Sequence, residues 1–172
     1  VVSAATASHI AVSAGDGQSA TVNTAVATNP AAVATDDYGN PVSGVSITFA
    51  VTAGGGVVAP VTVTTDANGV ATVTSWTLGS SPGDNTMTAT LPGDGAPHAT
   101  FGATATTGPA SGLAIHAGGG QSAPVSTSVA TPPSVIVTDG SGNPVVGVDV
   151  TFTVASGGGN IAKVPTIVSV LL

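Results

Sequence analysis

Three groups of residues in this chain have types and spacings that chemistry uses: loop aspartates, three histidines and triple-glycine runs. The loops are Asp36-Asp37-Tyr38-Gly39-Asn40-Pro41 and Asp139-Gly140-Ser141-Gly142-Asn143-Pro144. Carboxylate and carbonyl oxygens crowded in this way can hold Ca²⁺, which takes about six to eight oxygen ligands. Neither loop has the D-x-D-x-D-G…E spacing of a calcium loop, and the chain contains no Glu. The other reading is structural, with each Asp accepting backbone N–H groups in an Asx turn. That reading is preferred. No metal or other cofactor is expected, and calcium at Asp36, Asp37 and Asp139 is the lesser alternative.

His9, His98 and His116 share no H-x₃-H spacing and occupy no common repeat position, so they read as exposed strand or loop residues. No Ser–His–Asp grouping or close carboxylate pair suggests catalysis, and the chain is expected not to be an enzyme. Gly54, Gly55 and Gly56, with Gly118 to Gly120 and Gly157 to Gly159, lack the helix and Lys that follow a phosphate loop. They read as bulges or strand connections. Trp76 and Tyr38 are the large amphipathic aromatics; a carbohydrate platform is one use for them, and packing is the preferred one.

What positions these residues is a repeat. Ala14-Gly15-Asp16-Gly17-Gln18-Ser19-Ala20 recurs as Ala117-Gly118-Gly119-Gly120-Gln121-Ser122-Ala123, so Gly120 stands 103 residues after Gly17. At the same offset Val26-Ala27-Thr28 matches Val129-Ala130-Thr131, and Gly39-Asn40-Pro41-Val42 matches Gly142-Asn143-Pro144-Val145. Thr48-Phe49 matches Thr151-Phe152, again without a gap. A period near 100 residues is too long for a solenoid and suits one immunoglobulin-like sandwich. The expected organisation is a complete domain over 1–107 and a partial second one, its first half only, over 108–172.

Charged residues make up 5% of the 172, against roughly 25% in an ordinary soluble protein. All acids are Asp, Arg is absent, and Lys163 is the single Lys. The net charge of −7 excludes the basic face that nucleic acid requires, and no apolar run approaches the roughly 18–20 residues of a membrane span. With no Cys there is no disulfide framework. An acidic, Lys-poor, Thr-rich chain fits the outside of a prokaryotic cell.

Period-two alternation marks the strands. Val45, Ile47, Phe49 and Val51 share one face; Met87, Ala89 and Leu91 another; Phe101, Ala103 and Ala105 a third. Further strands are expected at 8–13, 24–35, 57–65 and 70–78, giving about seven in the first copy and almost no helix. The fold class is therefore all-β: tandem immunoglobulin-like antiparallel β-sandwiches, the second incomplete.

The motif order T-D-x-x-G-N-P-V-x-G-V-x-[IV]-T-F-x-V-x-x-G-G-G, T-T-D-A-N-G-V-A-T-V, W-T-L-G-S…G-D-N-T-M-T-A-T and T-F-x-A-T-A resembles bacterial Ig-like domain group 1, the repeat of invasin- and intimin-type surface adhesins. The resemblance implies a non-catalytic extracellular module, a stalk or filament subunit, or alternatively an adhesive module recognising a glycan or surface protein. The partners it implies are copies of itself or neighbouring Ig-like repeats. A half sandwich leaves apolar faces and edges open. Three explanations stand open: the sequence is a piece of a longer repeat array, strands from another subunit complete the second copy, or the segment 167–172 pairs back and closes a smaller sheet. Strand complementation is slightly favoured, with the apolar Ile167, Val168, Val170, Leu171 and Leu172 as the expected assembly segment.

Overall fold

The computed structural model describes residues 5–161. It divides into two compact units that meet between Thr106 and Thr107. The assembly segment Ile167, Val168, Val170, Leu171 and Leu172 lies outside the described residues.

The first unit is built from β1 (His9–Ala14), β2 (Gln18–Thr21), β3 (Ala31–Thr35), β4 (Ser46–Ala53), β5 (Val57–Ala59), β6 (Thr62–Thr64), β7 (Val70–Thr72), β8 (Ser75–Thr77), β9 (Gly83–Thr90) and β10 (His98–Thr106). One sheet has the order β1-β3-β7, the other β2-β10-β9-β4-β6, with β5 and β8 paired separately. No helix occurs among the described residues. The core lies between the sheets because alternation turns one side of each strand inward. Ala32, Ala34 and Ala71 come from the smaller sheet and Ile47, Phe49, Met87, Ala89 and Phe101 from the larger. Small side chains facing large ones let the layers interdigitate. The Phe49 and Phe101 rings sit 6.3 Å apart at 44°.

Four features depart from the expected strands. The stretch 24–35 forms a strand only over Ala31–Thr35, since Thr24 closes a turn onto Thr21 and Pro30 offers no N–H. The stretches 57–65 and 70–78 each split in two. β5 pairs with β8 while β6 pairs with β4 and β7 with β3, so each stretch changes sheets midway. Pro60 interrupts the first ladder, and Thr74 holds the second corner by donating its N–H and hydroxyl to Ala59 O at 2.8 and 2.9 Å. Finally, β2 was not anticipated, and it runs parallel to β10. The sandwich is therefore mostly, not wholly, antiparallel.

In the second unit β11 (Ala110–Ala117) and β12 (Ser134–Asp139) form an antiparallel pair. They correspond to β1 and β3 at the 103-residue offset. The counterparts of β2 and β4, residues 121–124 and 149–156, form no strand. The difference is one of partners. In the first unit β2 and β4 are laddered to β10 and β9, and nothing among the described residues of the second unit plays those parts.

Candidate functional site

The two aspartate loops have the same geometry. Asp36 Oδ1 accepts the N–H groups of Tyr38 and Asn40 at 3.0 and 2.9 Å, and Oδ2 accepts that of Ala5 at 3.1 Å. The Asn40 side chain donates to both oxygens. Asp139 repeats each contact with Ser141, Asn143 and Gly108. Asp66 makes a third such loop, accepting from Asn68 and Val70 N–H at 2.8 and 2.9 Å. In all three a glycine follows three positions later at positive φ (Gly39 80°, Gly69 73°, Gly142 85°), which a side chain would strain.

These hydrogen bonds fix the charge on the loops. Asp36 is almost fully buried, yet the Asn40 side chain holds its pKa down to about 2, against burial and with help from the N–H groups of Asn40, Ala5 and Tyr38. Asp139 is lowered to about 2 by the Asn143 side chain first, again against burial, with the N–H groups of Gly108, Asn143 and Ser141 adding to it. The Val70 and Asn68 N–H groups lower Asp66. Both oxygens of Asp36 and Asp139 are thus committed to donors, an arrangement suited to pinning a loop and the incoming chain. Asp37 instead lies exposed with His9 Nε2 3.5 Å from its Oδ1.

A glutamine clamp is the second shared device. Gln18 donates to Gly15 O and Thr28 O at 2.8 and 2.7 Å and accepts Thr28 N–H at 2.7 Å. Gln121 does the same with Gly118 and Thr131 at 2.9, 2.6 and 2.7 Å. Its amide replaces a strand partner where none is available. The repeated Gln and Thr were visible in the sequence; the contact joining them was not.

The other candidates are dispersed. His98 and His116 are exposed on β10 and β11. Trp76 is fully buried, and Tyr38 is 86% exposed at a loop tip. The carbohydrate platform therefore loses its Trp, and packing is what Trp76 does. Among the described residues no group of three or more His, Cys, Asp or Glu is placed to hold a metal ion.

The second unit presents an apolar face. Leu113 pairs across from Val137 and Ile115 from Val135, so the four share one side of the β11–β12 ladder. Leu113 and Ile115 are 63% and 73% exposed and Val125 is 94% exposed, whereas Val135 is half-buried and Val137 buried. The core residue Val22, at the position of Val125 in the first unit, is 5% exposed.

These features define the class: an all-β, immunoglobulin-like sandwich module followed by a second unit that repeats its first strand pair, aspartate loop and glutamine clamp. No protein-family model matches the chain, and no curated protein matches it by sequence. Among solved structures it is similar to the D00-D0 domain of intimin, at 19% identity and TM-score 0.46 over 58% of this chain and 46% of that one. It is also similar to the Escherichia coli adhesin FdeC, at 21% identity and TM-score 0.47 over 81% of this chain and 42% of that one. Invasin, described as a bacterial integrin-binding protein, aligns at 26% identity and TM-score 0.42 over 63% of this chain and 21% of that one. The chain thus spans less than half the length of each. Intimin and invasin are the adhesins after which the repeat that the motif order resembles is described.

Proposed function

We propose that the chain is a non-catalytic, extracellular structural module, a stalk or filament segment of a bacterial cell-surface adhesin. In this reading the first domain ends at about residue 107 and the incomplete second unit is closed by strands from outside it. The observation that carries it is duplication of framework, not of chemistry. The aspartate loop and glutamine clamp recur bond for bond in the two units, while the histidines do not recur at all. A chain that repeats what holds a sandwich together, and nothing that reacts, is suited to spacing and presenting.

Antibodies raised against the exposed Tyr38 loop test this on intact, unpermeabilised source cells. Surface labelling is expected, with filaments or projections in electron micrographs. Labelling only after permeabilisation sinks the reading. Strong, selective binding on a glycan array would instead move the assignment to an adhesive module.

A further inference from the structure

Four places in the sequence set an acidic or amide side chain directly before a glycine: Asp16-Gly17, Asn68-Gly69, Asp94-Gly95 and Asp139-Gly140. In such a pair the glycine nitrogen can attack the side-chain carbonyl carbon, because the glycine has no Cβ to block the approach. The attack needs both groups free and the backbone between them able to turn. The fold treats the four pairs differently.

Asp16-Gly17 is tied at both reacting groups. Asp16 Oδ1 accepts Gly102 N–H at 2.7 Å, and Gly17 N–H donates to Gly102 O at 2.9 Å. At Asn68-Gly69 the nucleophile is tied, Gly69 N–H donating to Asp66 O at 3.0 Å, and Asn68 N–H is held by Asp66 Oδ1 at 2.8 Å. Asp139-Gly140 has both carboxylate oxygens committed to Gly108, Ser141 and Asn143. These bonds, that of the Asn143 side chain foremost, hold the Asp139 pKa down to about 2. Ring closure uses the protonated acid, so this pair is disarmed as well.

Asp94-Gly95 has none of these restraints. Both residues are exposed in the loop 91–97 that joins β9 to β10. Leu91 N–H closes the loop on Pro97 O at 3.1 Å. Inside that bond, neither the Asp94 carboxylate nor Gly95 N–H has a hydrogen-bond partner among the described residues. The surroundings are open too: a Cβ at Gly93 or Gly95 would meet nothing within 4 Å.

We propose that Asp94-Gly95 is a site of spontaneous covalent modification, the one pair of the four that isomerises in the folded chain. The Gly95 nitrogen bonds to Asp94 Cγ, and its proton leaves with the carboxyl hydroxyl as water. One water molecule then opens the succinimide ring. Attack at Cγ restores aspartate; attack at the Asp94 main-chain carbonyl carbon leaves isoaspartate, with the chain running through Cβ and Cγ. No oxidant, reductant or enzyme takes part. The product lengthens the loop by one methylene and frees an α-carboxylate, the group that S-adenosylmethionine-dependent isoaspartyl methyltransferases esterify.

The test ages the whole chain in warm, mildly acidic buffer. Isoaspartate is read by enzymatic methyl transfer and located by electron-transfer fragmentation of the peptides. Asp94 is expected to convert roughly tenfold or more faster than Asp16 or Asp139, which must first give up hydrogen bonds. In guanidinium the three are expected to converge, since the fold and not the dipeptide sets the order. Asp94→Asn supplies a second arm by placing the dipeptide of Asn68-Gly69 on the open loop. Deamidation at 94 is expected to outrun that at Asn68 in the folded variant. Comparable rates at 94 and at the tied pairs overturn the proposal, as does first conversion at Asn68 in the variant. So does an absence of isoaspartate at 94 in the folded chain when the unfolded chain forms it.

Discussion

At the scale of single residues, the aspartate loops make acid sensitivity a local property. Asp36 has a pKa of about 2 in the folded chain, below the ordinary value of 3.8. The unfolded chain therefore binds more protons between these values, and folded stability rises with pH across that interval. The contribution is complete above about pH 4 and is lost as pH falls through about 2. Urea unfolding of the first unit over pH 2–5 is expected to show that slope, and Asp36→Asn to reduce it, leaving the share of Asp66. The Gln18 clamp makes a separate prediction. Gln18→Ala removes three hydrogen bonds and is expected to cost roughly 1–2 kcal/mol in chemical denaturation, since each bond nets about 0.5–1.5 kcal/mol and these are partly wetted. Sequence made the loops legible because Asp, Gly and Asn recur at fixed short spacing. The clamp was not legible, because the partner of Gln18 is Thr28, across a stretch with no regular pattern.

At the scale of elements, the recurrence of Ile47 and Phe49, and of Phe101 and Ala103, at every second position disclosed β4 and β10 and the face each buries. It could not disclose that two stretches would change sheets. A period-two pattern reads the same whichever sheet receives the strand, and the signals for the change were only Pro60 and Thr74. Close backbone approach also escaped notice. A Cβ on Gly79 would collide with the Gly54 carbonyl oxygen, and one on Gly56 with that of Thr77. Neither obstacle is a side chain that can swing aside. Gly79→Ala is expected to destabilise the first unit by about 1–3 kcal/mol, measurable as a lowered urea midpoint with unchanged slope.

At the scale of the whole molecule, one sequence pattern is paired to different extents in the two units among the described residues. Ile47 and Val150 hold the same repeat position, yet Ile47 is fully buried in the first unit and Val150 only half-buried in the second. Ile47→Ala is expected to cost about 2–5 kcal/mol, and Val150→Ala to stay within about 0.5 kcal/mol. Trp76, the single Trp and wholly inside the first unit's core, gives a fluorescence signal that follows the first unit alone. A hydrogen-exchange comparison of the two variants reads the second. The repeat itself was fully visible in the sequence. Which of its strands find partners was not, because pairing is a property of the assembled sheet.

The parallel pairing of β2 with β10 has a mechanical consequence. β2 lies toward the unit's N-terminal end and β10 leads out of its C-terminal end, and the two run in the same direction. A pull on the two ends slides one strand along the other. The tension then falls at once on Gly17 N–H to Gly102 O, on Val22 N–H to Thr106 O and on every bond between them. Bonds stretched together resist far better than bonds peeled open in turn. The first unit is thus wired as a shear clamp along Gln18–Thr21 and the end of β10.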